Sequence, residues 1–184
     1  MQINEQPLLL AAKEDLENFS ALYDVYVDRV WKYFLIRSHD GVLAEDLTSQ
    51  TFLKALQAFD RYEISTIPFG AWLFRIARNT LIDHTRKAKW ECLLEPMPEA
   101  PTERKNLVDQ ALVVQKIRKI IATFKEQDQD IVLLKLVSDL TFVTIAAQLG
   151  LSENTVKTKY FRSLKKLKNK ASALLILCAL LETF

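Results

Sequence analysis

Apolar side chains recur at three- and four-residue intervals through most of this chain, in residues 14–37, 43–59, 68–87, 107–123, 127–137, 141–149 and 152–170. That interval marks one buried face of a helix in each segment. Gly41, Pro68, Gly70 and Gly150 punctuate the runs, where a helix has to start or stop. No stretch alternates apolar and polar positions convincingly enough to make a strand. Three Gly and five Pro among 184 residues are too few for a turn-rich β protein, while a chain 49% apolar has ample core material. The pattern predicts an all-α fold.

The pattern breaks once. Residues 91–106, "ECLLEPMPEAPTERKN", hold Pro96, Pro98 and Pro101 with four Glu and little to bury. Proline removes a helix donor and clashes with the preceding turn, so this stretch is expected to be a linker between two small helical domains, residues 1–90 and 107–170. The tail 171–184, "ASALLILCALLETF", is apolar but shorter than the ~20 residues that span a bilayer. It is expected to bury against a domain or a partner. The N-terminus "MQINEQPLLLAAKEDLENF" has no basic region ahead of its short apolar run and does not read as a signal peptide. Cys92 and Cys178 with His39 and His84 make neither a disulfide framework nor a spaced zinc set. No metal or cofactor is expected, and a reducing cytoplasm is the expected location.

Charge is uneven beneath a net value of +2. Residues 1–90 carry 11 basic and 12 acidic side chains, whereas residues 109–184 carry 12 basic and 7 acidic. Inside the first domain, Arg75, Arg78, Arg86, Lys87 and Lys89 face only Asp83 within residues 75–89. Two separate basic clusters are the footprint of one extended polyanion.

The second cluster sits on a recognisable grammar, "LTFVTIAAQLGLSENTVKTKYFRSLKKLK", residues 140–168. Thr141 to Leu149 predict a short helix with Ile145 and Ala146 inward. Gly150 permits a left-handed turn, Ser152 is a cap for the next helix, and Val156, Tyr160 and Leu167 line its inner face. This is a helix-turn-helix, whose second helix meets base edges with its early outward positions and phosphates with later cations. Those positions are Glu153, Asn154, Lys157, Thr158, Phe161 and Arg162, then Lys165, Lys166 and Lys168.

The first cluster lies on "FGAWLFRIARNTLIDHTRK", residues 69–87. A helical projection puts Trp72, Arg75, Asn79 and Arg86 on one outward face and turns Leu73, Ile76, Ala77, Thr80 and Leu81 inward. Phe74 fits either side.

Taken together, the two halves resemble the extracytoplasmic-function branch of the bacterial sigma factors, the promoter-recognition subunits of RNA polymerase. "LYDVYVDRVWKYF", "AEDLTSQTFLKALQAFDRY" and "FGAWLFRIARNTLIDHTRK" look like the family's region two; "DIVLLKLVSDLTFVTIAAQLGLSENTVKTKYFRSLKKLK" looks like region four. The resemblance implies a non-enzymatic factor with no catalytic residues. It implies minus-ten promoter contacts by Phe69, Trp72, Arg75, Arg78, Asn79 and Arg86, where ring stacking offsets the cost of unstacking bases. It implies minus-thirty-five contacts by Lys135, Asn154, Lys157, Thr158, Phe161, Arg162 and Lys165. Asp46, Ser49 and Gln50 would dock on the clamp of the polymerase β′ subunit, and an anti-sigma factor is a further implied partner.

The chain departs from the family where Ser49-Gln50 replaces the common Gln-Glu, where Leu73 replaces the second Trp of housekeeping factors, and where "TFKEQDQ" replaces a Leu-Pro turn. A free-standing helix-turn-helix regulator, dimeric on paired half-sites, is the alternative reading. A nucleic-acid enzyme using Asp83 and His84 is weaker, because adjacent helical residues point about 100° apart.

Overall fold

The computed structural model describes residues 5–64, 67–94 and 119–168. All regular elements among these residues are helical, and the chain falls into two compact units, Met1–Ala100 and Pro101–Phe184. Most of the segment read as a linker, and the tail 171–184, lie outside the described residues.

The first unit contains α1 (Gln6–Glu14), α2 (Phe19–Ser38), α3 (Gly41–Ala58) and α4 (Phe69–Leu94), with single 3₁₀ turns at Leu16–Asn18 and Phe59–Arg61. Helix α1 was not marked by the periodicity. Pro7 stands in its first turn, where a missing N–H costs nothing. The helix expected from residue 14 starts only at Phe19, because Asp15 has extended backbone and its carboxylate accepts from Glu17 N–H. Between α2 and α3 the chain turns through His39 in the left-handed region, and Asp40 then caps α3 by accepting from Val42 N–H at 2.8 Å and Leu43 N–H at 3.2 Å. Helix α4 continues to Leu94, beyond residue 87, and so takes up the first residues of the expected linker.

Helix α3 packs against both α2 and α4. The buried faces are Leu22, Val30, Tyr33 and Phe34 from α2, Ala44, Leu47 and Ala55 from α3, and Phe69, Leu73, Phe74, Ala77 and Leu81 from α4. Two buried hydroxyls of α3 are satisfied within the helix: Thr48 donates to Ala44 O and Thr51 to Leu47 O, each at 2.7 Å. Gly70 is required by close approach, since a Cβ there would lie 2.9 Å from Tyr26 Oη.

The second unit contains α5 (Glu126–Leu136), α6 (Phe142–Leu149) and α7 (Glu153–Lys168). Its core gathers Ile121, Phe124, Ile131, Leu133, Leu134, Ile145, Ala146, Val156, Tyr160 and Leu167. Lys125 supplies no side-chain cap to α5, and Glu126 and Asp128 in its first turn complement the helix dipole instead. Thr141 caps α6 through Thr144 N–H at 3.1 Å, and Ser152 caps α7 through Thr155 N–H at 3.2 Å. Gly150 lies between them at φ +65°, where a side chain would be strained. The helix-turn-helix therefore stands as the spacing predicts.

Candidate nucleic-acid interface

Helix α7 buries Val156, Tyr160, Ser163 and Leu167 and leaves Asn154, Thr158, Phe161, Arg162 and Lys165 exposed. These five recur at helical spacing and make one outward stripe. Phe161 is 57% exposed, a large apolar ring in water, and its edge meets Phe142 of α6 at 6.0 Å between centroids. Lys157 flanks the stripe, tied to Glu153 at 2.6 Å and lying 6.0 Å from the Phe142 ring centre. On α5, Lys135 pairs with Asp139 at 3.2 Å and lies 5.7 Å from the same ring. Phe142 thus has two of the cations expected at the minus-thirty-five contact beside its ring, one from α5 and one from α7.

Arg162 has a partner that sequence spacing did not reveal. Asp128, buried at the start of α5, accepts from Lys159 Nζ at 2.9 Å and from Arg162 at 3.4 Å. The carboxylate ties α5 to α7 and fixes how the guanidinium leaves the helix, while more than half of the Arg162 side chain remains exposed. An acidic residue in a first helical turn ordinarily reads as a dipole partner, and only the fold brings residues 128 and 159 together.

In the first unit, Arg75, Asn79 and Arg86 lie exposed on α4, with Arg86 paired to Asp83 at 3.2 Å, and Arg78 is half-buried. Two expectations are corrected. Trp72 is only 8% exposed, not outward, with its indole 5.0 Å from the Tyr62 ring and 5.5 Å from Phe69. Helical side chains lean toward the N-terminus, so a ring one turn into α4 lies over the residues that precede it, and Tyr62 covers it. Phe69 is fully buried, edge-on to Phe59, Tyr26 and Tyr62, and offers no surface to a base in this conformation. Phe74, left open by its position, is fully buried against Tyr33. The pair Asp83 and His84 gathers no further support, since Asp83 is held by Arg86.

Asp46, Ser49 and Gln50 are all exposed on α3. Gln50 Nε2 donates to Asp46 Oδ2 at 2.8 Å and Ser49 Oγ to Glu45 O at 3.0 Å. Val42 and Leu53, 58% and 56% exposed, bracket these polar groups at helical spacing, so α3 presents an apolar-edged polar face. Sequence reasoning named the polar residues and missed the two apolar ones; their position on the outer face of an otherwise amphipathic helix was the available signal. Among the described residues no three metal-ligating side chains gather, and no helix is long and apolar enough to cross a membrane.

The chain matches the family models for Sigma-70 region 2 over residues 22–91 and Sigma-70 region 4 over residues 115–167. It is 30% identical over 158 residues to the ECF RNA polymerase sigma factor BldN of Streptomyces coelicolor, covering 83% of this chain and 60% of that one. It is 27% identical over 161 residues to the ECF RNA polymerase sigma factor SigL of Mycobacterium tuberculosis, covering 86% and 91%. The fold resembles that of CnrH, solved in complex with the cytosolic domain of CnrY, with a TM-score of 0.66, 21% identity and 97% of each chain covered. It also resembles RpoE of Bartonella quintana, solved in complex with the anti-sigma factor NepR, with a TM-score of 0.64, 21% identity and 90% and 98% coverage. With both regions present in order and this kinship over most of its length, the chain belongs to the Sigma-70 family, as a sigma factor of the ECF type.

Proposed function

We propose that this protein directs core RNA polymerase to particular promoters, with residues 1–90 binding the core and opening the minus-ten element and residues 107–170 reading the minus-thirty-five element across the linker 91–106. The observation that carries this reading is the exposed stripe of α7, Asn154, Thr158, Phe161, Arg162 and Lys165, presented by a capped helix-turn-helix. It combines an amide for a base edge, a ring for a thymine methyl and cations for phosphates. The face Arg75, Asn79 and Arg86 of α4 supplies a second set of groups for a nucleic-acid backbone, and the apolar-edged face of α3 suits a protein partner, the β′ clamp.

In this reading the chain is a binding subunit. The chemistry of RNA synthesis belongs to the polymerase, and the factor works in the cytoplasm beside the chromosome. By likeness to the relatives solved with protein partners, an anti-sigma factor is proposed as its regulator.

The test is transcription by purified protein and core polymerase from a random promoter library. Two conserved half-elements at a fixed separation in the selected templates support the reading. Selected products no different from those of core alone overturn it, and tight sequence-specific binding by the free protein would favour the dimeric regulator.

A further inference from the structure

Helix α4 begins without a cap of its own. Trp72 N–H donates to Pro68 O at 3.1 Å, which makes Pro68 the residue before the first turn, and proline has no side-chain acceptor for the amides of that turn. The acceptor comes from 64 residues earlier. Glu5 Oε2 accepts from Phe69 N–H at 3.2 Å, and the Tyr26 hydroxyl donates to the other carboxylate oxygen. At the opposite end of α1, Lys13 Nζ donates to Phe59 O at 2.7 Å and Asp60 O at 3.1 Å, carbonyls of the 3₁₀ turn that follows α3, the first of which also accepts from Tyr62 N–H at 3.0 Å, and lies 4.8 Å from the Phe59 ring centre. One short helix therefore places an anion on the positive end of α4 and a cation on the negative end of α3 and the 3₁₀ turn that follows it. Leu9 and Ala12, buried between these two charges, hold the helix down.

We propose that α1 is a positioning clip for the DNA-facing helix: Glu5 and Lys13 fix the start of α4 relative to the end of α3, and promoter opening depends on that fix. The inference rests on the proposed function. Arg75, the first cation on the exposed face of α4, lies six residues beyond Phe69, about 9 Å along the axis. A first turn released from Glu5 lets that face shift as a body. Neither Glu5 nor Lys13 touches nucleic acid in this account; each acts through the backbone it holds.

The experiment uses full-length protein with core polymerase on a selected promoter, as duplex and as a template pre-melted at the minus-ten element. The variants are Glu5→Ala, Glu5→Gln and Lys13→Met, with affinity for core and thermal unfolding measured alongside. Glu5→Ala and Lys13→Met are expected to lower transcript yield from the duplex by about tenfold or more, as misplacement of a working group does, with core affinity kept. The pre-melted template should recover most of that loss, and Glu5→Gln, which retains an acceptor for Phe69 N–H, should stay near wild type on both templates. If wild-type protein gives no promoter-directed transcript, the proposed function and the clip fall together. If wild type transcribes and the Ala and Met variants match it, the clip alone is overturned. Equal losses on duplex and pre-melted templates, in step with lost core binding, also overturn it and leave α1 a purely stabilising element.

Discussion

The indole of Trp72 lies 5.0 Å from the phenol ring of Tyr62, tilted by 41°, and the Tyr62 hydroxyl donates to Ile67 O at 2.8 Å. The side chain that a projection of α4 turns toward DNA is thus part of the packing that closes the end of the first unit. Burial pushes the Tyr62 phenol up to about 12, as expected for a ring enclosed on that side. Trp72→Ala should destabilise the first unit by about 3–5 kcal/mol, the usual cost of truncating a buried large aromatic. Denaturant unfolding checks this. A variant as stable as wild type that fails only in promoter opening would restore the outward, base-stacking role.

Removing the Asp128 carboxylate should disturb two properties at once. Asp128→Ala leaves Lys159 without its close partner and frees Arg162. A loss of about 1.5–3 kcal/mol in stability is expected, the range for a hydrogen bond to a charged group. Arg162 then samples more rotamers, so minus-thirty-five affinity of the holoenzyme should fall although Asp128 is itself buried. Asp128→Asn, which keeps one acceptor, should lie between. Unfolding midpoints and promoter binding measured on the same preparations separate the two effects.

Lys157 is held by Glu153 at 2.6 Å, and a base or phosphate has to compete with that carboxylate. Exposed pairs of this kind are worth about 0.2–1 kcal/mol, so the competition is mild. Lys157→Ala should cost about 1–3 kcal/mol of promoter binding and relax preference at one position if the ammonium reads a base. It should instead weaken all sequences evenly and reduce the salt slope by about one if it meets phosphate. Glu153→Gln should strengthen binding in either case. Salt titrations of holoenzyme on matched and single-substituted promoters decide between them.

The Glu5 carboxyl carries a pH signature. Burial raises it above the ordinary 4.5, and this outweighs the Phe69 and Gly70 amides and the charge of Arg29, which pull it down. Tyr26 and Tyr62 are the other titratable groups around it. A raised carboxyl binds its proton more tightly when folded, so its contribution to stability is full below 4.5 and is lost as pH rises through the raised value. The melting temperature of wild type minus that of Glu5→Gln should therefore fall as pH rises from about 4.5, other carboxylates cancelling in the difference. A difference that grows with pH would mean that the amide bonds, and not burial, dominate.

Periodicity, two punctuating residues and charge were enough to read the helix-turn-helix, because each of its determinants is local. Gly150 is needed for a left-handed turn, Ser152 caps three residues ahead, and Val156, Tyr160 and Leu167 share a face by helical spacing alone. The outward cations of α4 were legible for the same reason. Helix α1 was not, since its nine residues are held by Glu5 and Lys13 reaching groups 46 to 64 positions away. Trp72 was misplaced because a projection treats a helix as isolated, whereas the segment carrying Tyr62 folds across its first turn. Asp128 acquires its partners only because α7 comes alongside the start of α5. What the sequence determined by itself were the helices α2 to α7, the turn between α6 and α7 and the order of the two family regions, all set by neighbours within a few residues. Which rings are covered, which charges are paired and which cap closes α4 depend on residues distant in the chain, and only packing decides those.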